Sequence, residues 1–146
     1  MSRPGLRRNL ADGTTTEDTT LTPPATGPPR GVTAAAYTNN DLNAETATTL
    51  FDINTATDQA VIQSPANNGT PARTGALGVD AGLNAGFDIF SDLTSGKTTS
   101  VSAFATLTSA SGSATLYSVN LLTGARAGVG QFPLPITDIA IALDTN

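Results

Sequence analysis

The sequence predicts an all-β chain, and three observations carry that expectation. Charged residues make up only 13% of the chain and hydrophobic ones 38%; Thr, Ala, Gly and Asn fill the difference, which suits short strands and turns rather than charged helix faces. The ten-residue phrase TLFDINTATD (49–58) returns as TLYSVNLLTG (115–124), with Asn54 answered by Asn120 and Asp58 by Gly124. In both copies Phe51 and Ile53, or Tyr117 and Val119, alternate with polar neighbours, as along a strand with one packed face.

Element by element, LRRNLADG holds Asn9 and Gly13 at the spacing of Asn120 and Gly124 and reads as a degenerate third copy. Arg8 stands where Ile53 stands, so this copy puts a charge on the packed side and is expected to fray. Residues 14–30 hold four of the nine prolines; an edge strand is expected up to Leu21 and a Pro-rich linker beyond it, because each ring removes a donor and fixes φ. Residues 1–30 are thus set apart from a sheet-forming region, 31–146. In VTAAAYT, Thr33, Ala35 and Tyr37 alternate with Val32, Ala34 and Ala36 before the turn-rich string NNDLNAE. TLFDIN with QAVIQS, and TLYSVN with ARAGVGQF, are expected as hairpins. A tight loop of this kind starts at an Asn that bonds its own backbone and ends at a residue with positive φ, a position Gly or Asp tolerates.

FDIFS (87–91) is echoed by TDIAIAL (137–143), where Asp88-Ile89 matches Asp138-Ile139. Between them lie SAFATLTS, TLYSVN and ARAGVGQF, so ITDIAIAL is expected to open a second cycle as a strand. Four strands per cycle make one propeller blade. The chain is therefore expected to hold about two four-stranded antiparallel blades plus incomplete strands at both ends. Asn54 and Asn120 are 66 residues apart, more than the roughly 40 to 50 residues of common propeller repeats. The stretch SPANNGTPARTGALGVDAGLN is read as the insertion that accounts for the excess.

GVTAAAYTNN, TTLFDINTATDQAVIQSPANNGT, LGVDA, GFDI and TLYSVNLLTG resemble, in order, the phrases of the bacterial domain-of-unknown-function family 4394. The resemblance covers residues 31–143, and LRRNLADGTTTEDTTL is similar to a degraded form of the preceding hairpin. It implies a propeller, further blades upstream and an extracytoplasmic home; it implies no catalytic residues. The N-terminus, MSRPGLRRNLADG, has positive residues but no apolar stretch of about 7 to 15 residues behind them, so no export signal is read in it. A gene fragment, or a wrongly chosen start, would reconcile the two.

Composition narrows the chemistry. The net charge is −5, and only Arg73, Lys97 and Arg126 are basic after Arg30, so a nucleic acid backbone would be repelled. No apolar run approaches the roughly 20 residues that span a bilayer, so no membrane insertion is expected. Cys and His are absent, which removes disulfides, thiolate metal sites and any Ser-His-Asp hydrolase. Lys97, in an expected exposed turn, is a poor base for a Ser-Lys pair. Asn39, Asp41, Asn43 and Glu45 alternate as a calcium loop begins, but Ala44 stands where its Gly belongs and Leu50 where its Glu belongs. A solvated hairpin loop is the better reading. SDLTSGKTT (91–99) falls short of a phosphate-binding loop because Ser91 replaces its first Gly and strand-like residues follow. Asp52, Asp80, Asp88 and Asp138 are the carboxylates available for acid-base chemistry. Aromatic residues are expected in the core, with Phe90 on the face opposite Phe87 and Ile89.

The expected function is a non-enzymatic binding or structural module with no cofactor and an unknown ligand. A hydrolase or lyase built on acidic residues at a propeller mouth, or a non-functional gene fragment, are the alternatives. Open blade edges and apolar flanks are expected to drive self-association.

Overall fold

The computed structural model describes residues 4–20, 31–68 and 70–145. They form ten strands and no α-helix: β1 (Pro4–Arg8), β2 (Thr15–Thr20), β3 (Val32–Tyr37), β4 (Leu50–Asn54), β5 (Gln59–Gln63), β6 (Pro71–Ala76), β7 (Ala85–Thr94), β8 (Lys97–Thr108), β9 (Ala114–Val119) and β10 (Arg126–Gln131). Three antiparallel sheets result: the hairpin β1-β2, the four-stranded β3-β4-β5-β6 and the four-stranded β7-β8-β9-β10. The expected all-β class and the two four-stranded units hold. The Pro-rich linker expected beyond Leu21 falls on residues 21–30, outside the described residues.

The core lies between the two four-stranded sheets. Ala36, Phe51, Ile53 and Ala60 of one sheet form a single buried cluster with Phe87, Ile89, Ala103, Ala105, Leu107 and Val119 of the other, closed by Leu77 and Ala81 from the connection between them. The alternation read from the sequence is the cause: Phe51 and Ile53 face the core, as do Val119 and, half-buried, Tyr117. On β3, Ala34 and Ala36 turn inward while Thr33, Ala35 and Tyr37 are exposed. Alanine beside large apolar side chains lets two sheets approach closely while keeping the layer filled. Phe90, on the other face of β7 from Phe87 and Ile89, is half-buried.

Three expectations are corrected. Residues 71–76, PARTGA, are not part of an insertion but the fourth strand of the first sheet, paired along β5 from Gln59↔Ala76 to Gln63↔Pro71. Consequently the repeated phrases are not equivalent: TLFDIN is the second strand of its sheet and TLYSVN the third. The 66-residue spacing is one sheet plus one strand, whereas β3 and β7, the two first strands, start 53 residues apart at Val32 and Ala85. The second correction concerns residues 137–143, which enter no ladder. Their backbone still passes close to β7 at Gly86, where it is held by the Asp88 side chain. Third, the N-terminal hairpin is formed and does not put Arg8 on a packed face. Arg8 is exposed, and the Arg7 guanidinium meets the Asp18 carboxylate across the hairpin at 2.7 Å.

Candidate functional site

Turn chemistry accounts for the shared Asn. Asn54 Oδ1 accepts the N–H groups of Ala56 and Thr57 at 3.0 and 3.2 Å, and Asn120 Oδ1 accepts those of Leu122 and Thr123 at 3.0 Å each. Asn9 does the same toward Ala11 at 2.9 Å. Each loop ends in the left-handed region, at Gly13 (φ 71°), Asp58 (φ 52°) or Gly124 (φ 71°). The choice between Asp and Gly at the last position follows from what each touches. Asp58 Oδ1 accepts the Ala81 N–H at 2.8 Å and anchors the connection to the second sheet. Gly124 packs against the backbone of Gly75 on β6, where a Cβ would stand 2.5 Å from the Gly75 carbonyl carbon.

The loop NNDLNAE turns its oxygens onto backbone. Asp41 Oδ2 accepts from the Thr98 N–H at 2.8 Å and the Thr98 hydroxyl at 2.6 Å, fastening this loop to the β7–β8 hairpin. Those bonds hold the Asp41 carboxyl well below its ordinary value, at about 2. Asp41 Oδ1 accepts from the Asn43 N–H, Asn43 Oδ1 from the Glu45 N–H, and Asn39 Nδ2 donates to the Ala47 carbonyl. Among the described residues no three His, Cys, Asp or Glu side chains stand together to hold a metal ion. In SDLTSGKTT, Ser95 and Gly96 both take positive φ, 54° and 73°, and close a two-residue hairpin between β7 and β8. That is the primed turn suited to twisted strands, and no helix N-terminus is present to meet a phosphate.

Of the four candidate carboxylates, Asp52, Asp80 and Asp88 occupy separate surroundings, and Asp138 lies in the segment that Asp88 holds against β7. Asp52 alternates with Phe51 and Ile53, and Asp88 with Phe87 and Ile89, so the two point away from the shared core on opposite sides of the sheet pair. Asp80 is exposed in the connection between the sheets. Asp52 stands between Ala35 of β3 and Val61 of β5 in the register; it is 1% exposed, and neither carboxylate oxygen has a hydrogen-bond partner. Burial raises its pKa from 3.8 to about 7. Sequence reasoning named Asp52 but had no signal for its isolation, since an aspartate on a strand's outer face is normally solvated.

Asp88 and Asp138 use the same local device. Asp88 Oδ1 accepts its neighbour's N–H from Ile89, and Asp138 Oδ1 that of Ile139, both at 2.8 Å. Asp88 Oδ2 then reaches the C-terminal segment and accepts the Ile141 N–H at 2.6 Å. Farther along, Asp144 Oδ2 accepts the Leu93 N–H at 2.9 Å. At Gly86 the approach is closest, because a Cβ there would lie 2.6 Å from Asp138 Cα. With these side-chain bonds in place of a ladder, Asp88→Ala is expected to speed amide exchange at Ile141 by roughly tenfold or more while the β8–β9 amides stay protected. Unchanged exchange at Ile141 would show that Asp88 does not hold the segment.

Among the described residues the surface carries open hollows, and two of them are each about 610 Å³. One runs beside Val101, Phe104, Leu121, Leu122 and Arg126. There the Arg126 guanidinium lies 4.7 Å from the Tyr117 ring centroid and donates to the Gly78 carbonyl at 3.2 Å. The other lies between the β1-β2 hairpin and Tyr37, with Arg7 and Arg8 at its edge. Residues 2–140 match the family model described as Domain of unknown function (DUF4394). The chain belongs to this family. No curated protein and no solved structure matches it. Within DUF4394, what this chain presents is a pair of four-stranded sheets joined by side-chain clamps; its buried carboxyl stands alone.

Proposed function

We propose that the chain is a non-enzymatic binding or structural module, built as two consecutive blades of a β-propeller with partial sheets on either side. One observation carries the reading. The Asn40 N–H donates to Ser91 Oγ at 2.9 Å, and the Leu93 N–H donates to Asp144 Oδ2 at 2.9 Å. Donor and acceptor have both advanced by 53 residues, the same step that separates the starts of β3 and β7. Residues 137–144 therefore stand to β7 as β7 stands to β3. Successive first strands placed side by side by a constant rotation are what a radial array requires.

The binding role rests on the carboxylates. Asp41 and Asp88 are occupied by backbone N–H groups, and Asp52 and Asp88 face opposite ways, so Asp52 and Asp88 do not form the facing pair that glycoside chemistry needs. The hydrolase alternative rests on Asp52 and its raised pKa. Self-association through uncovered edges, and the extracytoplasmic home that the family implies, belong to the same proposal. It is tested with the purified chain on panels of glycoside, ester and peptide substrates, where no turnover above buffer is expected. Turnover that vanished in Asp52→Asn or Asp88→Ala would overturn it in favour of the hydrolase.

A further inference from the structure

We infer that the hollow between the β1-β2 hairpin and Tyr37 is a binding site for a neutral saccharide. The inference deepens the binding-module reading above, on which it rests, by assigning the surface and the ligand class. The hollow measures about 610 Å³, within the roughly 300 to 1,000 Å³ of small-ligand sites. Arg7 pairs with Thr16 in the hairpin register and Asp18 lies two residues on, so the three side chains share one face of the hairpin. Arg7 and Thr16 line the hollow, and Tyr37 lines it from β3.

Arg7 is held from behind. The Asp18 side chain is 9% exposed against 49% for Arg7, and its carboxylate takes the Arg7 Nε at 2.7 and 2.9 Å and Nη2 at 2.7 Å. With one edge of the planar fork engaged, Nη1 and its two N–H donors point away from Asp18. An ion pair at the surface adds little to stability. What the sealed carboxylate adds is a fixed direction for the free edge of the guanidinium, as a donor aimed at a ligand requires.

The remaining groups select the ligand class. Tyr37 is 42% exposed and brings an aromatic ring. Asn9, with Oδ1 committed to the Ala11 N–H at 2.9 Å, keeps its Nδ2 donors, and the Thr16 hydroxyl both donates and accepts. A pyranose has the matching division: an apolar C–H face that packs on an aromatic ring, and a rim of hydroxyls that needs donors and acceptors together. Charge argues against an anion, because residues 4–20 set Arg7 and Arg8 against Asp12, Glu17 and Asp18, and Asp18 already neutralises Arg7. A wholly apolar ligand would leave the Arg7 and Asn9 donors without partners.

The full isotope-labelled chain is titrated with maltotriose, cellotriose and chitotriose and followed by amide NMR shifts. At least one probe is expected to saturate with a dissociation constant on the order of 1 mM or tighter, with shifts centred on residues 6–9, 14–16 and 37. Tyr37→Ala is expected to weaken binding roughly tenfold and Tyr37→Phe by less than about threefold. Arg7→Lys, whose single ammonium cannot hold Asp18 and reach a ligand as well, is expected to weaken it roughly fivefold. Leu122→Ala, in the hollow beside Phe104, should change nothing. A far-ultraviolet spectrum matching the parent shows each variant folded, and Tyr37→Leu, apolar without the flat ring, replaces Tyr37→Ala if it is not. Shifts centred away from Tyr37, or equal affinity in the parent and the Tyr37 variant lacking a ring, would overturn the site. Tighter binding of glucuronate than of every neutral probe would overturn the ligand class. A probe recovered shortened would overturn the module reading and this inference with it, whereas silence from all three probes, recovered intact, overturns this site alone.

Discussion

Replacing Asp52 by Asn makes the chain more stable above about pH 7 and removes most of the fall in its urea midpoint between about pH 4 and pH 8. The carboxyl is buried on the outer face of β4, and neither oxygen has a partner. Its pKa is about 7 in the folded chain against an ordinary 3.8, so the folded state binds the proton more tightly than the unfolded one. Stability from this group is complete below the unfolded value and is lost as pH rises through the folded one. At about 1.4 kcal/mol per unit, the loss reaches about 4 kcal/mol once Asp52 is ionised, a large share of the roughly 5 to 15 kcal/mol that holds a domain together.

Asn keeps the shape and cannot ionise, but its amide is also left without partners, at a cost of about 1 to 3 kcal/mol. The net gain at pH 8 is thus about 1 to 3 kcal/mol, while at pH 4 the variant is no better than the parent. Asp41 works in the opposite sense. Its pKa is lowered to about 2 by the bonds from Thr98, so what it contributes is present above 3.8 and disappears as pH falls through 2. The two slopes are separable because they occupy different windows. Equal slopes for parent and Asp52→Asn between pH 4 and 8 would show that Asp52 is solvated or partnered.

What the sequence disclosed depended on how local the cause was. The hairpins at Asn54 and Asn120 were legible because Asn, followed four places later by a residue that accepts positive φ, dictates the turn within five residues. β6 was not legible: PARTGA opens with Pro and contains Gly, both poor in strand interiors, and it is a strand only because β5 offers its edge. ITDIAIAL looked like a strand because of its alternation, yet a ladder needs a neighbour at hydrogen-bond distance, and the nearest backbone, β7, is already paired on one side with β8 and meets the segment through Asp88 instead. The acidic residues divided in the same way. That Asp58 would sit at a turn end followed from spacing; that it would also hold Ala81, and that Asp52 would be sealed from water, depended on elements far off in sequence.

Gly124→Ala is expected to destabilise the chain by about 3 kcal/mol or more, and Gly13→Ala by only about 1 to 2 kcal/mol. The two glycines end equivalent turns with the same φ of 71°, so the cost of forcing an L-residue into the left-handed region is common to both. Their surroundings differ. A Cβ on Gly13 would have the end of the Arg8 side chain 3.5 Å away, which is ordinary contact with a flexible group. A Cβ on Gly124 would lie 2.5 Å from the Gly75 carbonyl carbon and 2.8 Å from the Ala76 nitrogen, atoms of β6 that are fixed by pairing with β5. The difference between the variants therefore measures the contact between the two four-stranded sheets at their outer strands, with the turn penalty cancelled. Gly75→Ala approaches the same contact from the other side: its Cβ would stand 1.8 Å from the Thr123 carbonyl oxygen, with no φ penalty added. If the sheets are wedged apart, both variants should also free the Leu77 and Ala81 side of the core and raise exchange in the connection between the sheets before the ladders open. Urea midpoints in which Gly124→Ala cost no more than Gly13→Ala would mean that the outer strands do not touch, and that the two sheets are held only by β3, β7 and the apolar layer behind them.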